Sequence, residues 1–177
     1  TLESKKSFET FFAPIKAGLS QGKTLLETQL PFLGDLRGRA LFDTWLANTE
    51  VLGQAYALAD PKQRVSWAGP EMSALSSITA RQMETWAHGH EVFDALGERR
   101  KEGDRIKNIC HLGVSTFGWT FLNRKMDIPE PLPYVELTSP SGQIWNWNDP
   151  TSHASVRGSA IEFAQIVTQV RGFDDTQ

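Results

Sequence analysis

One cysteine, Cys110, stands in a chain of 177 residues. An internal disulfide is therefore excluded, and the sequence reads as that of a protein from a reducing, cytoplasmic setting. Apolar runs are too short to span a bilayer, and the opening Thr1-Leu-Glu-Ser-Lys-Lys shows no signal-peptide core, so no membrane partner is expected. That opening also has no initiator Met, so the chain reads as a fragment or a processed product. Basic charge is sparse and scattered: 18 Lys and Arg face 21 Asp and Glu, for a net charge of −3. Without a basic stripe, nucleic acid is not an expected partner. The nucleophile elbow Gly-x-Ser-x-Gly, the phosphate loop and the dinucleotide fingerprint are all missing. Histidine is absent until His88.

What is present is globular. Apolar residues make up 40% and charged residues 22%, enough for one domain or two small ones. Phe8, Phe11, Phe12, Ile15 and Leu19 repeat at helical spacing, with Ser7 as the expected cap. Gly22 breaks that pattern, and a short helix through Leu25, Leu26 and Leu30 is expected to end near Pro31. Asp35 is the expected cap of a third helix, whose inner side carries Leu41, Trp45, Leu52 and Tyr56, and Asp60-Pro61 stops it. Trp67-Ala-Gly-Pro70 is a turn; Ser73 then opens a long helix that Gly97 closes. A further helix runs from about Asp104, striped with Ile106, Ile109, Cys110, Gly113, Phe117 and Phe121, and ends before Pro129.

Pro129, Pro131 and Pro133 then make a stiff linker. Tyr134–Thr138 alternates like a strand, Pro140-Ser-Gly142 signals a turn, and Gln143–Trp147 reads as the return strand. Val156–Val170 is the expected last helix. Helices followed by a hairpin and a helix is an α+β order, mainly α. The expected division is 1–128, a helical bundle, and 129–177, a small α/β domain. Six Trp serve the core more often than a pocket.

The chemistry concentrates in the run Arg81–Glu91. Glu84 and His88 are four residues apart, hence one turn apart on one helix face, and Glu91 lies three beyond His88. The three side chains fall within roughly 60° of one another. Carboxylate and imidazole suit zinc and neighbouring transition metals. On a solvated helix the same spacing is only a weak pair. Here Thr79, Ala80, Met83, Ala87, Val92 and Ala95 make the helix apolar or small on most sides, which predicts burial. Buried Glu and His must be paired or coordinated.

The remaining candidates are weaker. His90, about 200° round the helix from His88, is expected to face solvent. His111 lies roughly 140° from Ile106, off its helix's apolar stripe, where a contact with the C-terminal domain, water and a role as extra ligand all stay open. His153 lies in a polar loop. Cys110 falls in an apolar stripe and reads as inert packing; a dyad with His111 is rejected, because adjacent helix positions diverge by about 100°. Arg81 is an exposed or ion-paired neighbour, and Asp94 a hydrogen-bonding residue near the helix end.

Trp67-Ala-Gly-Pro-Glu-Met-Ser73 and Thr79–Gly97, with Met83-Glu-Thr-Trp-Ala-His-Gly89 at its centre, resemble a family of metal-binding proteins typical of actinobacteria. That family belongs to the DinB-like superfamily and is related to mycothiol-dependent maleylpyruvate isomerase. The resemblance continues through His111–Val114, Val135–Gly142, Trp145–Trp147 and Gly158–Phe163. It implies a four-helix bundle holding a divalent metal, zinc first with nickel and iron as alternatives, followed by a small α/β domain. It further implies Glu84 and His88 as metal ligands, with a third ligand from a His on an earlier helix. The sequence departs there, so the chain is expected to lack its N-terminal bundle helices or their ligand-bearing part. Glu91 is then an added ligand or, as the preferred reading, the hydrogen-bond partner that orients His88.

The implied activity is that of a metal-dependent enzyme of the thiol-dependent isomerase or transferase type. It would act on a small-molecule substrate with a low-molecular-weight thiol such as mycothiol. Two alternatives stand beside it: a non-catalytic metal or small-molecule binding protein, and a truncated homologue acting through oligomerisation, as a homodimer. In the second, the apolar face of Phe8–Leu19 would supply the contact.

Overall fold

The computed structural model describes residue 2 and residues 4–176. The fold is α+β and mainly α, and it divides into two compact units, Thr1–Ile78 and Thr79–Gln177. No helix among the described residues is long and apolar enough to cross a membrane.

The first unit opens with α1, Lys5–Ser20. Its cap is Ser4 rather than Ser7: the Ser4 hydroxyl accepts from the Ser7 backbone N–H at 3.0 Å. The two serines sit three apart, and the one outside the first turn is the one that meets an unpaired N–H. Helix α2, Leu25–Leu33, is fixed by a capping box between Thr24 and Glu27. It runs past Pro31 and ends at Leu33, before Gly34: the proline lies in the last turn, where it removes one ladder bond without stopping the helix. Helices α1 and α2 pack together and bury Ile15, Gly18 and Thr28. Asp35 is not a cap; α3, Gly38–Leu58, starts after Arg37 and buries none of its residues. A two-stranded ribbon follows, β1 (Arg64–Val65) with β2 (Met72–Ser73), the expected turn between them.

Helix α4, Ala74–Leu96, carries the candidate site. Its ends behave as the sequence predicts. The Ser73 hydroxyl accepts from the Ser76 N–H at 3.0 Å. Gly97 has φ +66 and supplies the left-handed residue that closes the helix, its N–H and that of Glu98 returning to Asp94 and Phe93 carbonyls.

The second unit holds the main core. A 3-10 turn, Asp104–Ile106, leads into α5, Lys107–Ser115, and then α6, Phe117–Asn123. The expected single helix is thus broken at Thr116, whose side chain bonds back to the Leu112 carbonyl and competes with the helical ladder. Beyond the proline run, β3 (Tyr134–Thr138) is the centre of a three-stranded sheet. It pairs antiparallel with β4 (Ile144–Trp147) and parallel with β5 (Ser155–Ser159). Strand β5 corrects the expectation of a helix from Val156: the helix, α7, is Ala160–Val167 and is capped by Ser159. Ser-Val-Arg-Gly-Ser has weak helical preference, and β3 offers it a free edge.

Trp86 of α4, Ile106, Ile109 and Cys110, Val135 and Leu137, Trp145, Ala160 and Ala164 form one buried cluster. That cluster explains why the units part inside α4 and not at the prolines: residues on both sides of 128/129 bury their apolar surface against each other.

Candidate functional site

Glu84, His88 and Glu91 are brought together as the helical spacing predicts. Glu84 Oε2 lies 3.4 Å from His88 Nε2, and Glu91 Oε1 lies 3.4 Å from His88 Nδ1. The imidazole is thus held between two carboxylates, one at each ring nitrogen. Glu91 accepts a hydrogen bond at that distance. The three residues edge a cavity of about 350 Å³, bounded also by Met83, Ala87 and the turn Val167–Arg171 after α7.

Their burial departs from expectation. The side chains are 62%, 71% and 77% exposed for Glu84, His88 and Glu91. Helix α4 is not buried all round, for Val92 and Leu96 are also exposed. Alanine and threonine on its flanks carried little apolar area, so they could not bury every side. Among the described residues, no group of three or more His, Cys, Asp or Glu gathers around a metal position.

His111 is not part of this cluster. It edges a separate, mostly apolar cavity of about 450 Å³, with Val114, Phe117, Phe163 and Trp147 among its walls. The Trp147 indole N–H donates to His111 Nδ1 at 3.2 Å, so the contact is with the C-terminal hairpin. His153 is exposed in its loop. Cys110 is fully buried, and burial pushes its thiol up to about 12, which leaves it a packing residue. Asp94 accepts from Arg171 at 2.7 Å, and that guanidinium holds its carboxyl below the ordinary range. Arg81 is exposed.

His90 overturns the expectation of a solvent-facing residue: its side chain is 7% exposed. Position alone put it opposite His88, and that much holds. What covers it is the segment after α4. Glu102, also 7% exposed, places Oε1 at 3.4 Å from His90 Nε2 and accepts from the Trp86 indole N–H at 2.9 Å through Oε2. Arg100 Nε lies 3.3 Å from Glu102, and Arg100 donates to the Trp86 carbonyl at 2.7 Å. Gly89 makes room for it: a Cβ there would stand 2.8 Å from the Arg100 guanidinium. A mid-helix glycine costs about 1 kcal/mol against alanine. The Gly in Trp86-Ala-His-Gly-His90 is therefore the one local signal that something approaches this face closely. Burial, the largest influence, lowers the His90 pKa, with Arg100 and Arg171 adding to it and Glu102 opposing.

Residues 8–93 match the family described as mycothiol maleylpyruvate isomerase N-terminal domain. That segment belongs to this DinB-like family. The match contains Glu84, His88, His90 and Glu91 and stops short of Glu102 and His111. The chain is also similar to two proteins of Mycobacterium tuberculosis, "Uncharacterized protein MT0041" (strain CDC 1551 / Oshkosh) and "Uncharacterized protein Rv0036c" (strain ATCC 25618 / H37Rv). Each is 40% identical over 131 residues, which is 74% of this chain and 51% of the relative. The chain thus spans about half the length of the curated relatives it matches. No solved structure matches it.

Proposed function

We propose that the chain binds a divalent cation, zinc before nickel or iron, through Glu84 and His88, and that it serves thiol-dependent isomerisation or group transfer on a small substrate. The observation that carries this reading is the 3.4 Å between Glu84 Oε2 and His88 Nε2. Two ligands of a tetrahedral ion with bonds of ~2.1 Å stand about 3.4 Å apart, so one cation fits between these atoms without moving either.

Glu91 supports the same reading from the other ring nitrogen. With the imidazole proton on Nδ1, donated to the Glu91 carboxylate, the Nε2 lone pair is left on the Glu84 side for the cation. The pair Asp94–Arg171 pins the turn that forms the far wall of the cavity. A cation in an open site lowers the pKa of a bound thiol or water and polarises a carbonyl. The cavity beside His88 has room for a small electrophile, and the domain family, named for mycothiol maleylpyruvate isomerase, makes a low-molecular-weight thiol such as mycothiol the natural cosubstrate. Two exposed protein ligands bind a metal weakly, so a further donor outside the described residues, or the thiol itself, completes the coordination.

The test is zinc titration of the unaltered chain against Glu84→Gln and His88→Ala, with thiol consumption followed in parallel. Zinc binding that is lost in both variants supports the metal site. Equal binding in all three sinks it. Retained zinc with neither thiol-dependent isomerisation of maleylpyruvate nor net thiol consumption by an electrophile would leave a binding protein and remove the enzyme.

A further inference from the structure

The face of α4 opposite His88 carries a second concavity that the metal reading does not use. His90 and Glu102 line a cavity of about 410 Å³. Both side chains are more than nine-tenths buried. Glu102 Oε1 lies 3.4 Å from His90 Nε2 and 3.3 Å from Arg100 Nε, but neither approach has hydrogen-bond geometry. His90 Nε2 and Glu102 Oε1 are accordingly buried atoms with no hydrogen-bond partner among the described residues. A buried group left unmet in this way destabilises the fold, so the pair reads as half of a recognition site.

We propose that this cavity binds a neutral, hydroxyl-bearing small molecule, a sugar or polyol, through one hydroxyl group shared by His90 Nε2 and Glu102 Oε1. A carboxylate oxygen only accepts, and an imidazole N–H donates. A hydroxyl does both, so a single oxygen can donate to Oε1 and accept from Nε2. The charges around it argue for a neutral ligand. Asp94, Glu98 and Glu102 stand against Arg99, Arg100 and Arg171 on the cavity wall, three of each sign. Asp94 is already bonded to Arg171 and Glu102 flanked by Arg100, so neither a cation nor an anion gains a free counter-charge at the paired atoms. Phe93, Pro140 and Ile161 supply apolar wall for the carbon face of a ring. The inference does not rest on the metal reading, whose ligands lie on the other face of the helix, although Asp94 and Arg171 border both cavities.

The Trp86 indole N–H donates to Glu102 and so reports on the site without belonging to the cavity wall. The experiment follows that resonance in 1H–15N spectra of the unaltered chain. Glycerol, glucose and sorbitol are titrated to about 100 mM, a hundredfold above a ~1 mM dissociation constant. Glucosamine and gluconate serve as the cationic and anionic arms. The expected result is a saturable displacement with at least one neutral polyol. Glu102→Gln, which keeps an oxygen for Trp86, and His90→Phe are each expected to weaken it about tenfold or more. No saturable displacement with any polyol overturns the proposal, as does a response to glucosamine or gluconate alone. An undiminished response in a variant whose Trp86 resonance shows a native fold overturns it as well.

Discussion

His88 and His90 sit two residues apart on one helix, and each ring nitrogen lies 3.4 Å from a glutamate oxygen. Their surroundings could hardly differ more: the first pair is 71% and 62% exposed, the second 7% and 7%. The same two side-chain types at the same separation therefore sit in different media. Water screens the outer pair. The inner pair is held in a low-dielectric enclosure by Trp86, Arg100 and Gly89, where any unmet polar atom weighs on stability. Distance alone says nothing of role; what covers the pair decides it.

That contrast can be broken at its base. Trp86 roofs the inner pair and belongs to the main core, so Trp86→Ala is expected to cost about 3–5 kcal/mol, read as a lowered urea midpoint. Next in size is a paired experiment. Glu102→Gln is expected to destabilise by about 1–3 kcal/mol, and Glu84→Gln by less than about 0.5 kcal/mol, in metal-free buffer. Equal losses would erase the distinction between the two faces.

Acid gives a third handle. Burial holds the His90 pKa below the ordinary imidazole value of 6.5, so the unfolded chain takes up that proton more readily than the folded one. Its contribution is complete above pH 6.5 and is lost as pH falls toward the folded value. Urea midpoints of the unaltered chain should therefore drop between neutral pH and pH 5, and the drop should shrink in His90→Phe. A drop of the same size in both would detach His90 from the acid response.

The smallest effect sharpens the account of Gly89. Alanine there gains about 1 kcal/mol of helix preference but displaces the Arg100 guanidinium. Gly89→Ala should be near neutral alone and stabilising by about 1 kcal/mol in an Arg100→Ala background. The double-mutant cycle measures the difference.

The legible parts of the molecule were those set by local chemistry. Ser73 and Gly97 bounded α4 because caps act through their own neighbours, and the i,i+4 spacing brought Glu84 to His88 for the same reason. The burial of His90 was not legible, since Arg100 and Glu102 reach it from a loop with no periodic pattern. Strand β5 was hidden likewise: Ser155–Ser159 lacks alternation, and its conformation is imposed by the ladder to Tyr134–Thr138. The exposure of the Glu84 face was misjudged because small residues flanking a helix permit burial without requiring it.

The indole of Trp147 has a last consequence. It can only give a proton, so the nitrogen it touches on His111 must be the bare one, and the ring hydrogen resides on the far side. Of the two ring nitrogens of that neutral imidazole, only a donor is thus left for any further contact.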